Sequence, residues 1–151
     1  FADTKLPVYK QLTLEDYAEV LPYIDLIFPN ETEAAYYSGI SGSSEEELAA
    51  MADAFLKKGV KAVVIKTGEQ GSWFFDGMRR IRHPAFAAEV VDTTGAGDNY
   101  AAGFIHAYLN KEPVPVCMAF ASACAALSIG ASGATGGVRS REQVENFLNT
   151  K

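Results

Sequence analysis

Histidine and cysteine are scarce in this chain of 151 residues, with two of each, and that scarcity closes off much metal and thiol chemistry. His83 and His106 stand alone, without a cysteine or second histidine at ligand spacing, so no zinc site is expected. Cys117 and Cys124 fall in one apolar, helix-like stretch. On a helix they share a face but sit roughly 10 Å apart by helical rise, too far for a disulfide. Reduced thiols of this kind fit a cytoplasmic setting. No apolar run approaches the roughly 18–20 residues that cross a bilayer. The opening Phe1-Ala2-Asp3-Thr4-Lys5 also lacks the basic-then-apolar order of a signal peptide. Positive charge is in deficit, with a formal net charge of −6, which argues against a nucleic-acid or membrane-surface partner. Any phosphate held here must be gripped locally, by backbone amides or a few cations.

Two common nucleotide motifs are missing as well. No glycine is followed by Lys-Ser or Lys-Thr in the P-loop pattern. The string Gly95-Ala96-Gly97-Asp98-Asn99-Tyr100 puts tyrosine where a dinucleotide fingerprint needs its third small residue. It also lacks the acid about 20 residues further on. There is no repeat, linker or low-complexity tract.

What the chain does contain is an alternation of strand and helix patterns. Residues 1–12 read as a strand end and a loop around Pro7. Thr13 caps a short helix running through Leu14 to Leu21, with acids in its first turn. Asp25–Phe28 reads as a brief buried strand. Asn30 opens a helix that Gly39 ends. Ser44 and Glu47 form a capping box, and Leu48, Met51, Ala52 and Phe55 follow at core spacing before Gly59. Ala62-Val63-Val64-Ile65 suits a strand buried on both faces. Asp76-Gly77 between Trp73-Phe74-Phe75 and Met78–Arg82 predicts a hairpin. Glu89-Val90-Val91 reads as a strand entering the glycine turn. The helix after it carries Ala101, Phe104, Ile105 and Tyr108 as its core face. Val116–Ile129 predicts a buried helix, and residues 130–137 a flexible loop. Ser140 and Gln143 cap a last helix ending near Asn149. This alternation favours a layered α/β sheet, and the abrupt opening suggests part of a larger one.

The sharpest motif is Asp92-Thr93-Thr94-Gly95-Ala96-Gly97-Asp98, set between a β-branched segment and a helix. Small residues at a helix N-terminus leave unpaired N–H groups and the positive dipole end open to an anion. Asp98 then stands in the first helical turn, where a carboxylate beside bound phosphate can deprotonate an attacking hydroxyl. A tight turn followed by a favourable first-turn acid would account for a lone Gly-x-Gly. The full seven-residue string in this context points to phosphate chemistry instead.

The string and the Ala/Gly-rich helix after it resemble the second signature of the ribokinase-like, PfkB-type carbohydrate kinases. The resemblance covers residues 1–150 and corresponds to the C-terminal half of a family member. It implies a layered α/β/α, Rossmann-like sheet with flanking helices, with the N-terminal strands and lid outside the chain. It implies that Asp98 is the catalytic base and that the amides of Gly95, Ala96 and Gly97 form the anion hole. Phe28-Pro29-Asn30-Glu31-Thr32-Glu33 resembles the Asn-x-x-Glu element that orders Mg²⁺ and its waters, placing Asn30 and Glu33 there. The same pair is also a good capping box. Lys66-Thr67-Gly68-Glu69-Gln70-Gly71 resembles the loop over the ATP phosphates and ribose. Ser122 matches a position that can face the base, and it also suits plain packing.

The loop 128–137 resembles the one near the adenine. With Asp92 and Thr94, its residues Ser128, Ala131 and Gly133 are implied as a site for a monovalent cation, K⁺. Gly137 departs from the hydroxyl side chain that a ribokinase often has there, which bears on K⁺ dependence. The implied activity is transfer of a phosphoryl group from ATP to a hydroxyl of a small sugar. A fructokinase, a ribokinase or a ketodeoxygluconate kinase would share these motifs. The resemblance also suits a homodimer of the full-length protein. It further implies that these residues are a fragment with little or no activity alone. A nucleotide-binding pseudokinase remains the alternative, and a dinucleotide-binding domain is the weaker rival.

Overall fold

A computed structural model describes residues 12–151, so the strand end and loop expected around Pro7 lie outside the described residues. Thr13 donates from both its backbone N–H and its hydroxyl to Asp16 Oδ2, at 2.8 and 2.9 Å. The helix expected over 14–21 does not continue from this start. Two 3-10 turns form instead, Leu14–Tyr17 and Leu21–Tyr23. Pro22 explains the break, because it has no N–H to donate and its ring crowds the carbonyl four residues back.

Four strands form one sheet: β1 (Leu26–Ile27), β2 (Ala62–Lys66), β3 (Ser72–Phe75) and β4 (Arg80–His83). Their order is β1-β2-β3-β4. β1 and β2 run parallel, with Leu26 opposite Ala62 and Ile27 opposite Val63. Five helices accompany them, and the chain divides into two compact units. One runs up to Ile65 and includes Phe74–Arg80; the other comprises Lys66–Trp73 and Ile81–Lys151.

In the first unit, α1 (Glu31–Ser38) starts at Asn30 and stops at Gly39, whose φ of 71° is left-handed. α2 (Glu45–Leu56) starts on the reciprocal pair of Ser44 and Glu47. Its expected face of Leu48, Met51, Ala52 and Phe55 is fully buried. Val63, Val64 and Ile65 are equally buried, so β2 has both faces covered as its β-branched run predicts. β1 is shorter than expected and only half-buried. At the hairpin, Asp76 Oδ1 accepts from the amides of Met78 and Arg79, at 3.1 and 2.7 Å. The carboxylate therefore organises a four-residue connection in place of a two-residue Asp-Gly turn.

In the second unit, α3 (Ala96–Leu109), α4 (Val114–Ile129) and α5 (Arg141–Asn149) pack together. Gly103 lets α3 and α4 approach closely, since a Cβ there would lie 2.7 Å from Cys124 Sγ. This close approach also corrects the expected core face of α3. Tyr100, Gly103, Phe104 and Ala107 are buried, whereas Ile105 and Tyr108 are 41% and 42% exposed. Gly103 lies against Ala121 and Cys124 of α4. Tyr100 meets the buried Ser72 hydroxyl at 2.7 Å, and burial pushes its pKa up to about 12. α4 is buried along most of its length, with both cysteines free and covered, while Val116 at its start is exposed. Ser140 Oγ accepts from Gln143 N at 3.1 Å and starts α5 as expected.

The strand expected at 89–91 is absent. Val90 and Val91 are exposed, and the amides of Val91 and Asp92 donate to the Ile129 carbonyl at the end of α4. An extended segment becomes a strand only with a ladder partner. Here the last turn of α4 takes those donors. Among the described residues no helix is long and apolar enough to cross a membrane.

Candidate active site

The glycine turn leads straight into α3. Gly95 is the N-cap, with φ 76° and ψ 2°, and it supplies no side-chain acceptor to the helix start. No side chain caps the amides of Gly97 and Asp98, which leaves them for an anion, whereas Ala96 N, expected in the anion hole, already donates to Thr93 O at 3.2 Å. Asp98 stands exposed in that first turn. Asp92 shapes the entry to it: Oδ1 accepts from Thr94 N and Oδ2 from Gly133 N, both at 2.9 Å. Thr94, and then Gly133, hold the Asp92 carboxyl below the usual carboxylate range.

Lys66 ends β2 beside this turn. A Cβ on Gly97 would lie 3.0 Å from Lys66 Nζ, so the ammonium occupies the space a side chain would take. A cation set against the positive end of a helix is an arrangement that an anion between them would stabilise. The structure thus brings Lys66 next to Gly97. The loop after it makes a 3-10 turn, Gly68–Gln70, closed by Thr67 N donating to Gly71 O at 2.9 Å. Glu69 and Gln70 are exposed. Gly71 must be glycine: φ is 101° and a Cβ would sit 2.0 Å from the His83 carbonyl. Thr67 Oγ1 is buried without a hydrogen-bond partner among the described residues, a costly state for a hydroxyl.

Other expected residues are more dispersed. Asn30 and Glu33 sit in the first unit and bind each other: Glu33 N donates to Asn30 Oδ1, and Asn30 N to Glu33 Oε2, both at 2.8 Å. The capping role is thus present, and one Glu33 oxygen stays outside it. That donor set fits contact with Mg²⁺ through water, which this ion's reluctance to dehydrate favours. Ser122 is buried, with its hydroxyl 3.3 Å from the Pro84 carbonyl. His83 approaches the same carbonyl, at 2.7 Å, and His106 stacks on Phe120. For the monovalent cation, the Asp92 carboxylate joins Thr94 to Gly133. Ser128 connects to Ala134 through a shared donor. Carboxylate and carbonyl oxygens are donors that a hard cation takes. Gly137 has no room for a side chain, since its Cβ would lie 2.2 Å from Leu127 O.

The shared donor is Asn99, which the motif reading passed over. Its Nδ2 reaches Gly95 O, Ser128 Oγ and Ala134 O, at 2.9, 3.0 and 2.7 Å. Asn99 also lines a cleft of about 270 Å³ in the second unit, with Gly103, His106, Phe120, Arg139 and Val144 among its walls. None of the site residues read from the sequence lines that cleft.

Comparison with known proteins bears on this geometry. A family model described as pfkB family carbohydrate kinase matches residues 3–141. The chain is 34% identical to a ribokinase of Haemophilus influenzae over 131 residues, 86% of this chain and 42% of that one. An Arabidopsis thaliana ribokinase complexed with ribose and ATP aligns with a TM-score of 0.86 and 33% identity, over 92% of this chain and 45% of that one. A putative ribokinase II from E. coli in complex with ATP and Mg²⁺ aligns with a TM-score of 0.77 and 28% identity, over 91% and 43%. The chain spans less than half the length of each of these proteins.

Proposed function

We propose, on the premise that this chain belongs to the pfkB family of carbohydrate kinases and has its ribokinase-like α/β fold, that the whole protein transfers the γ-phosphoryl group of ATP to a hydroxyl of a small sugar. One observation carries the reading: the start of α3 after Gly95, which no side chain caps, with Asp98 in its first turn and Lys66 beside Gly97. Asp98 takes the proton from the sugar hydroxyl as it attacks. The amides of Gly95, Ala96 and Gly97 stabilise charge on the transferring group, and holding the reactants in line supplies much of the rate. Mg²⁺, where bound, neutralises charge across the phosphates, and Asn30 and Glu33 are the residues that would order its waters. The loop 67–71 covers the nucleotide, with Ser122 toward the base. Asp92, Thr94, Ser128, Ala131 and Gly133 would hold a monovalent cation. A sugar of the ribose class is favoured, because ribokinases stand among the relatives on both comparisons. Two buried thiols suit the reducing cytoplasm.

The test is ADP release by the full-length protein with ATP and a panel of ribose, deoxyribose, fructose and ketodeoxygluconate. Turnover with one of these is the expected result. Binding of NAD(H) without binding of ATP would overturn the reading. Lys66→Met is expected to weaken ATP binding roughly tenfold, the worth of one charge-assisted hydrogen bond. It should also flatten the salt dependence of binding, because a screened charge pair is lost. Titration of the variant at two ionic strengths checks both effects.

A further inference from the structure

We infer that Asn99 is a positioning residue whose side-chain amide clasps the glycine turn to the loop that follows α4, so that the two segments order together. The inference rests on reading the turn as the phosphate site. The Asn99 amide nitrogen lies 2.9 Å from Gly95 O, 3.0 Å from Ser128 Oγ and 2.7 Å from Ala134 O. Two N–H groups face three oxygens, so one hydrogen is shared. The orientation of the amide is fixed by its surroundings. Flipped, its oxygen would meet two carbonyls that can only accept.

The contact is not a helix cap. A cap offers an acceptor to the orphan N–H groups of a first turn, whereas Asn99 offers donors to carbonyls. Nor does the start of α3 need it, since Gly95 O already accepts the Asn99 backbone N–H at 2.9 Å. What the side chain adds is reach, because its other two acceptors lie 29 and 35 residues along the chain. Gly95 makes that reach workable. A Cβ there would lie 2.8 Å from Ala134 Cβ and 2.9 Å from its Cα, so only glycine lets the loop come this close. Asp92 ties the same two segments a second time, at Gly133. Asn99 and Asp92 thus hold the turn at both ends, and the amides between them inherit a fixed direction. Asp98 lies between the two anchors, adjacent to Asn99. Losing the Asn99 clasp should disturb the anion hole more than the sugar pocket.

Amide hydrogen exchange on the full chain tests this, with Asn99→Ala and the near-isosteric Asn99→Asp. In both variants exchange should quicken roughly tenfold or more at 94–98 and at 131–136 together, as local opening becomes easier. In Asn99→Ala, which adds no charge beside the turn, affinity for Mg·ATP should fall roughly tenfold, by the loss of about one net hydrogen bond's worth of ordering. In the whole protein, kcat should fall more than the KM for sugar changes. Quickening at only one of the two segments would overturn the clasp. So would quickening spread evenly through α3, α4 and α5, which marks general destabilisation. Asn99→Asp preserves the side chain's volume, so it separates the clasp from a packing defect. A wild-type full-length protein that binds no Mg·ATP would instead sink the phosphate-site reading, while the exchange pattern still decides the clasp.

Discussion

Asp98→Asn is expected to lower kcat by roughly 10²–10⁴-fold, the usual worth of a positioned general base, while ATP affinity is retained. Asparagine matches aspartate in shape, so the first turn of α3 and the amides of Gly95–Gly97 should not move. It also removes a negative charge close to where the triphosphate would lie, which can only help nucleotide binding. What is lost is the acceptor for the hydroxyl proton. Asp98 is exposed, standing where a substrate could meet it. Steady-state kinetics on the full-length protein, with a separate nucleotide titration, resolves the two effects. A kcat within a few-fold of wild type would remove Asp98 from the chemistry. A full-length wild-type protein that binds ATP yet phosphorylates nothing would mark a sensor module instead.

The parts of this molecule that were legible in its sequence are those written in short-range chemistry. Asn30 with Glu33, Ser44 with Glu47 and Ser140 with Gln143 each lie three apart, and each starts a helix where that spacing predicts. The run Ala62–Ile65 suited a strand buried on both faces, and all four residues are buried. The helix predicted at 14–21 failed for a reason already present in the chain, since Pro22 follows directly. Other features depended on distant partners. Nothing near Val90 and Val91 states that the Ile129 carbonyl will take the backbone donors at 91 and 92. Nothing local favours Gly103 and Ala107 over Ile105 and Tyr108 until α4 arrives.

The site divides in the same way. Asp98 and its glycines formed one contiguous string, so their place at the start of a helix could be read. Lys66 entered only as the first residue of the loop that resembles the one over the ATP phosphates, and its nearness to Gly97 emerged only on folding. Asn99 had no local signal beyond a side-chain amide in a first helical turn. Its role depends on oxygens contributed by α4 and by the loop after it.

Gly137→Ser is the second substitution with a large expected effect, and it tests the departure at the cation loop. The change restores the type of side chain that a ribokinase often carries at this position. In this chain the backbone leaves no space for it. A Cβ would sit 2.2 Å from Leu127 O, 2.6 Å from Ser128 Cα and 2.8 Å from Leu127 C, and all three are backbone atoms of one helix end. No rotamer relieves such a contact, so either the loop or the last turn of α4 must shift. That turn also presents Ser128 Oγ to Asn99 and Ile129 O to the amides of Val91 and Asp92. The strain therefore passes into the glycine turn. A loss of about 3 kcal/mol or more is expected, which lowers Tm by roughly 6–12 °C for a chain of this size. Gly137→Ala carries the same Cβ without the hydroxyl and should lose as much. Melting curves in potassium and in potassium-free buffer distinguish the outcomes. Equal losses for both variants, unrelieved by potassium, mean that the Cβ itself is the obstacle. A serine variant that melts normally while alanine does not would show instead that the loop yields and the hydroxyl finds a partner.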